Sequence, residues 1–155
     1  MQGDPKIIAR LNLLLADELS AINQYMVHSE MCANWGYERL HQAVERRARD
    51  EMKHAEKLIA RILFLEGKPD VTRLSGIRVG DDVEAQHRND QEAEVAAIKA
   101  YNDAIRLADE AGDHGTREVL ESILKDEEGH LDALDARFDQ IADVGLAGYL
   151  AEQMG

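Results

Sequence analysis

Two copies of one short pattern, a fixed distance apart, constrain this chain more than any other feature. Asp50-Glu51-Met52-Lys53-His54 is echoed by Asp126-Glu127-Glu128-Gly129-His130. Each holds Glu-x-x-His, and the two glutamates and the two histidines are both 76 residues apart. Residues three apart on a helix share a face, so each Glu and His project to the same side. The offset extends beyond the motifs. Val44, Arg47, Glu51, His54, Leu58, Ile62 and Leu65 map by 76 onto Leu120, Ile123, Glu127, His130, Leu134, Phe138 and Ile141. Spacings of three and four are those of a helix face. Glu18, Ile22 and Tyr25 map likewise onto Glu94, Ile98 and Tyr101. The chain reads as two helix hairpins of one design.

Local signals set the element boundaries. Asp4 as cap and Pro5 in the first turn predict a helix from Pro5 to about Asn34, ending before Gly36. Its apolar stripe is Ile7, Ile8, Leu11, Leu14, Leu15 and Ile22, interrupted by Glu18 and continued by Tyr25. A second helix runs from about Tyr37 to Glu66, stopped by Gly67 and Pro69. Residues 67 to 82 show no helical period and read as a long crossover, in which Val71 and Ile77-Val79 make short extended contacts. A third helix is expected from about Asp82 to Ala111, its inner face including Val83, Asp90, Glu94, Ile98, Tyr101 and Ile105. A fourth runs from about Gly115 to Asp143 and ends at Gly145. Leu146 to Ala151 form a short fifth helix that docks on the bundle or on copies of the chain. The expected fold is all-α: one domain over residues 1–155, a four-helix bundle with a long crossover between the second and third helices.

A net charge of −13 argues against nucleic-acid binding and is compatible with attracting cations. One cysteine, Cys32, leaves no intramolecular disulfide and no cysteine-based zinc or iron–sulfur site within a chain. No secretory signal and no membrane-spanning run are visible, so a soluble, cytoplasmic protein is expected.

The inward carboxylates carry the chemistry. Glu18, Glu51, Glu94 and Glu127 all interrupt apolar stripes, with His54 and His130 beside them and Arg47 as the one obvious internal cation. Four such carboxylates repel one another and lose solvation unless a cation joins them. Two divalent ions balance four carboxylates, and neutral imidazoles complete the shells. One Glu from each of two helices plus Glu-x-x-His from the other two is the ligand set of di-iron and di-manganese carboxylate bundles. Mixed oxygen and imidazole donors suit iron or manganese. A single Glu-x-x-His is ordinarily a solvated helix face; it is the shared offset that tells here. Tyr25 and Tyr101 read as core aromatics or as donors to the ligand carboxylates. Asp50, Asp126 and Glu128 read as ordinary polar residues, Cys32 and Trp35 as packing, and His28, His41, His87 and His114 as solvent-facing.

Four stretches, taken together, resemble bacterioferritins along the whole chain: Leu15-Ala16-Asp17-Glu18-Leu19 with Ala21-Ile22-Asn23-Gln24-Tyr25; Asp50-Glu51-Met52-Lys53-His54-Ala55; Arg61-Ile62-Leu63-Phe64-Leu65-Glu66-Gly67; and Asp126-Glu127-Glu128-Gly129-His130. The resemblance implies a ferritin-like fold and a homo-oligomeric shell of 24 subunits, built of dimers. That shell oxidises Fe(II) with oxygen or hydrogen peroxide and stores a ferric mineral. It also implies that Glu18 and His54 serve one iron, Glu94 and His130 the other, and that Glu51 and Glu127 bridge them. The family's haem b is held between two subunits by a methionine from each, and Met52 stands at that position. A ferredoxin for iron release is a further implied partner. On residue physics alone, Met52 reads as a methionine in an ordinary dimer interface rather than a haem ligand. Two departures stand out. Arg46 occupies the place of a histidine that, with an aspartate such as Asp50, forms an inner-surface iron site in some members. Leu58 and Ala133 replace aromatic residues found in others. The competing readings are a rubrerythrin-like peroxidase, which the single cysteine argues against, an oxygenase, and a metal-free acidic scaffold.

Overall fold

The computed structural model describes residues 1–155 as four helices with no strand. They are α1 (Pro5–Asn34), α2 (Glu38–Phe64), α3 (Val83–Glu110) and α4 (His114–Glu152). Side chains close three of the N-termini: Asp4 accepts from the Lys6 amide, Asp82 from Ala85 and Asp113 from Thr116. Gly36, at φ +85°, turns the chain from α1 into α2, in a conformation a side chain disfavours. Helices α1 and α2 form one hairpin and α3 and α4 the other, joined by α1–α3 and α2–α4 contacts.

Burial along these faces is uneven, and that creates the site. One half of the bundle is hydrocarbon, with Leu11, Leu14, Leu58, Ile62, Ala104, Leu120 and Ile123 packed together. A smaller cluster of Cys32, Leu40, Val83 and Tyr149 forms a second core. The polar residues of the α-helical inner faces are not part of either. Ile105 and Ile141 pack on these cores only half-buried.

The crossover pairs with no strand, and Val71, Ile77 and Val79 are exposed rather than in extended contact. Side chains of α1 satisfy its backbone instead. The amides of Asp70, Ser75, Arg78 and Gly80 donate to Asn12 Oδ1, Ser20 Oγ, Gln24 Oε1 and His28 Nε2. These acceptors recur at multiples of four, hence on one face of α1. His28 is thus fully buried, against the expectation of a solvent-facing ring, because the crossover lies over it. Gly80 must be glycine, since a Cβ there would stand 2.4 Å from the Gln86 amide nitrogen.

Helix α4 is broken at Gly145 (φ 78°, ψ 158°), and the residues beyond it turn back onto the bundle. Tyr149 is buried, shares a 2.8 Å hydrogen bond with His87 Nε2 and accepts from Arg137 Nη1 at 3.1 Å. His87 is therefore also buried, not solvent-facing. Burial pushes its pKa down to about 3, and the Arg47 and Arg137 charges add to this. The unfolded chain binds a proton at His87 below about pH 6.5 that the folded chain refuses, so this group removes stability as pH falls from there toward 3. Between pH 6 and 4, wild type should lose about 1.4 kcal/mol per pH unit more than His87→Gln in urea unfolding. Equal slopes would refute this. No helix is long and apolar enough to cross a membrane.

Candidate metal centre

Each of the four helices delivers one glutamate to the same level of the bundle. Glu18, Glu51, Glu94 and Glu127 are buried, as is His54, with His130 slightly more open. The helical spacing does this locally: Glu51 and His54, and Glu127 and His130, stand one turn apart on the faces that α2 and α4 turn inward. Together the six side chains form two overlapping groups. Glu18, Glu51, His54 and Glu127 make one, and Glu51, Glu94, Glu127 and His130 the other. Within each, the ligand-type atoms lie within 4.8 Å of one another, and Glu51 and Glu127 belong to both. His54 Nδ1 is 3.0 Å from Glu127 Oε1 and 3.7 Å from Glu18 Oε1. His130 Nδ1 is 3.1 Å from Glu51 Oε1 and 3.4 Å from Glu94 Oε1.

The donor atoms have nothing else to do. Glu18 Oε2, Glu51 Oε1, His54 Nδ1, Glu94 Oε2, Glu127 Oε1 and His130 Nδ1 are buried without a hydrogen-bond partner. Leaving a buried polar group unsatisfied costs about 1–3 kcal/mol. Six in one place, all oxygen or imidazole nitrogen, fit a pair of iron- or manganese-type cations.

The remaining atoms of these side chains are held from outside. His54 Nε2 donates to Asp126 Oδ2 at 2.8 Å, and His130 Nε2 donates to Asp50 Oδ2 at 3.0 Å. Each bond crosses between α2 and α4 and leaves the Nδ1 lone pair facing the centre. Asp50 and Asp126 are therefore not ordinary polar residues. Their position immediately before each motif glutamate was the available signal, but it points to no partner. Their side chains stay 45% and 51% exposed. Asp50→Ala or Asp126→Ala should weaken divalent-metal binding about 10- to 100-fold, measured by Co(II) competition. Unchanged affinity would show that neither carboxylate orients its imidazole.

The tyrosines also cross over. Tyr101 donates to Glu18 Oε1 at 2.5 Å and Tyr25 to Glu94 Oε1 at 2.6 Å, so each serves the glutamate of the other hairpin. Charge follows from this packing. Burial lifts the Glu94 carboxyl to about 7, against the pull of His130. Burial and the Glu18 charge raise Glu51 well above the carboxylate range. Burial opposes the charge on His130, but Glu127, Glu51 and Glu94 outweigh it and lift the imidazole to about 12. His54 is raised in the same way by Glu127, Glu18 and Glu51. Without metal, the imidazoles hold the protons that balance the carboxylates.

The other sequence-marked residues lie elsewhere. Arg47 is internal but pairs with Asp90 Oδ2 at 3.0 Å rather than with the four glutamates. Met52 is on the outer face of α2, 49% exposed. Cys32 is buried packing, while Trp35 is partly exposed. His41 is half-buried, its Nδ1 bonded to the Ser29 carbonyl, and His114 is exposed. Arg46 is exposed, Leu58 buried and Ala133 exposed.

Comparison with known proteins agrees with this geometry. The ferritin-like domain family matches residues 8–144. The chain is 38% identical over 149 residues to a bacterioferritin of Brucella melitensis, covering 96% of this chain and 92% of that one. It is 40% identical over 151 residues to a bacterioferritin of Streptomyces coelicolor, covering 97% and 90%. A bacterial ferritin of Synechocystis is 38% identical over 155 residues, covering 99% of both chains.

Proposed function

Because the chain belongs to the bacterioferritin family of ferritin-like proteins, we propose that it stores iron, and that its own six-residue centre performs the oxidation that precedes storage. The observation that carries this reading is the set of six unpartnered donor atoms in two groups that share Glu51 and Glu127. Fe(II) is the substrate. Glu18 and His54 hold one ion, Glu94 and His130 the other, and Glu51 and Glu127 lie between them. Two Fe(II) carry four positive charges against four carboxylates, so the loaded centre needs no protons on either imidazole. Each Fe(II) gives up one electron, and the pair reduces one peroxide to two waters with two protons, or one dioxygen to peroxide with two protons.

The chain's residues act on position and charge. Asp126 and Asp50 keep each Nε2 protonated and each Nδ1 free. Tyr101 and Tyr25 occupy one oxygen of Glu18 and of Glu94 and leave the other for iron. The small-residue cavity lined by Ala93, Ala96, Ala97 and Ala100, about 200 Å³, reaches Glu18, Glu51 and Glu127 from the crossover side. The ferric product passes to a mineral inside a shell of 24 chains, and a ferredoxin supplies the electrons for its release. Iron analysis combined with particle mass tests the storage reading. A large particle holding many irons per chain supports it, and a small one that never exceeds two irons per chain selects a rubrerythrin-like peroxidase instead.

Haem b is proposed at Met52. Met52 is 49% exposed on α2, and α1 carries partly buried Leu19, Ile22 and Asn23 and the 51% exposed Met26. Met52 offers a soft axial donor, and a second copy of the chain would supply the other. Haem would supply a route for electrons between the outside and the mineral. Met52→Leu should lose the visible haem absorption while Fe(II) oxidation continues. An unaltered haem band rules out Met52 as the ligand.

A further inference from the structure

A second buried polar cluster lies beside the centre, organised by Asp90 of α3. Asp90 Oδ1 accepts from Gln24 Nε2 and from His28 Nδ1, both at 2.9 Å, and Oδ2 accepts from Arg47 Nη1 at 3.0 Å. Gln24 Oε1 and His28 Nε2 accept from the crossover amides of Arg78 and Gly80, each at 3.0 Å. All four side chains are buried. Arg47 in turn lies over the Tyr25 ring, 5.1 Å from its centre, and Tyr25 donates to Glu94 Oε1. An unbroken series of contacts runs from the crossover to one ligand-type carboxylate.

The duplication makes this informative. By the 76-residue offset, Gln24, His28, Arg47 and Asp90 correspond to Ala100, Ala104, Ile123 and Leu14. Of these, Leu14, Ala104 and Ile123 sit in the hydrocarbon core. Tyr101 makes the equivalent bond to Glu18 with no cation over its ring. The same bundle therefore solves the same packing problem once with hydrocarbon and once with a buried ion pair. A buried ion pair stabilises no better than apolar packing of similar volume, so stability does not explain it. What the polar half adds is orientation. A planar guanidinium, fixed by a carboxylate that is itself bonded on its other oxygen, holds the face of Tyr25. The opposite charges of Arg47 and Asp90 cancel at a distance, leaving the steric and hydrogen-bonding effect.

We propose that Arg47, anchored by Asp90, is a positioning residue that holds Tyr25 on Glu94 and so makes the Glu94–His130 position the tighter of the two metal positions. A ligand held in its bound geometry loses less freedom on binding. The Glu18–His54 position lacks this support. The inference rests on the reading of the six residues as a two-metal centre.

Co(II) titration of the intact, metal-free protein, followed by visible absorption, tests it. Wild type should take up two Co(II) per chain in two steps, about tenfold or more apart. Tyr25→Phe, and the charge-neutral pair Arg47→Met with Asp90→Asn, should each weaken the tighter step about tenfold and leave the weaker step unmoved. Tyr101→Phe should weaken only the second step. Arg47→Lys keeps a cation on Asp90 but loses the planar guanidinium over Tyr25, so it should weaken the first step as the double variant does. A merely structural defect would weaken both steps together. Steps of equal affinity in wild type, an unmoved first step in the double variant, or equal loss from both steps overturns the proposal. Fewer than two Co(II) per wild-type chain overturns the metal-centre reading itself.

Discussion

Glu127→Ala should remove rapid Fe(II) oxidation, with an initial rate at least about a hundredfold below wild type. Glu127 belongs to both groups of ligand-type atoms, as does Glu51, so its loss takes an oxygen from both positions at once. Glu94→Ala or His130→Ala takes a donor from one position only. Oxidation that needs two irons together still fails, but one Fe(II) per chain is still bound. The two classes should separate in an anaerobic Fe(II) titration: about one ion per chain remains in Glu94→Ala, and neither tight site survives in Glu127→Ala. Stopped-flow absorbance of the ferric product measures the rates. A wild-type rate in Glu127→Ala would remove the centre from the mechanism altogether.

Divalent metal should raise the stability of this protein, and raise it more as pH increases. The six atoms that lack a hydrogen-bond partner gain a partner in a bound cation. At a thousandfold excess of free metal over its dissociation constant, each site contributes about 4 kcal/mol. Two such sites should lift the melting temperature of a chain this size by about 15 °C or more. The metal-free stability and the metal increment depend on pH with opposite signs. In the metal-free protein, Glu94 at about 7 and His130 at about 12 are both raised above their unfolded values. Their contribution is fully present below the unfolded values. It is lost as pH rises, through about 7 for Glu94 and toward 12 for His130. Metal must displace those protons, so its binding strengthens over the same range. Between pH 6.5 and 9 the metal-free melting temperature should fall, while the increment from Co(II) grows. Calorimetric scans at three pH values decide this; a Co(II) increment independent of pH would show that no site proton is displaced.

The core of this architecture is readable in one dimension because two periodicities coincide. The helical period assigns Glu18, Glu51, His54, Glu94, Glu127 and His130 to inner faces, and the 76-residue offset makes their grouping more than chance. Charge balance then calls for cations, since four buried carboxylates repel one another and two imidazoles carry at most two positive charges. Helix ends at Asn34 and Glu110 follow from glycines just beyond them. All of this is local or periodic, and a linear pattern records it.

Partners across the bundle are of another kind. Periodicity says which face a residue occupies, not which residue stands opposite. Tyr25 serves Glu94 and Tyr101 serves Glu18, though each lies nearer in the chain to the other glutamate. Asp50 and Asp126 become partners of the histidines only because α2 and α4 bring each beside the other's motif. His28 and His87 look like surface residues until the crossover and the returning C-terminal segment cover them. The sequence alone thus determined the helices, their duplication and the six inward side chains, because each is written in spacing along one strand of chain. Only the tertiary structure decided which hydroxyl, imidazole and carboxylate meet, because those contacts depend on the distance between helices that the spacing does not contain.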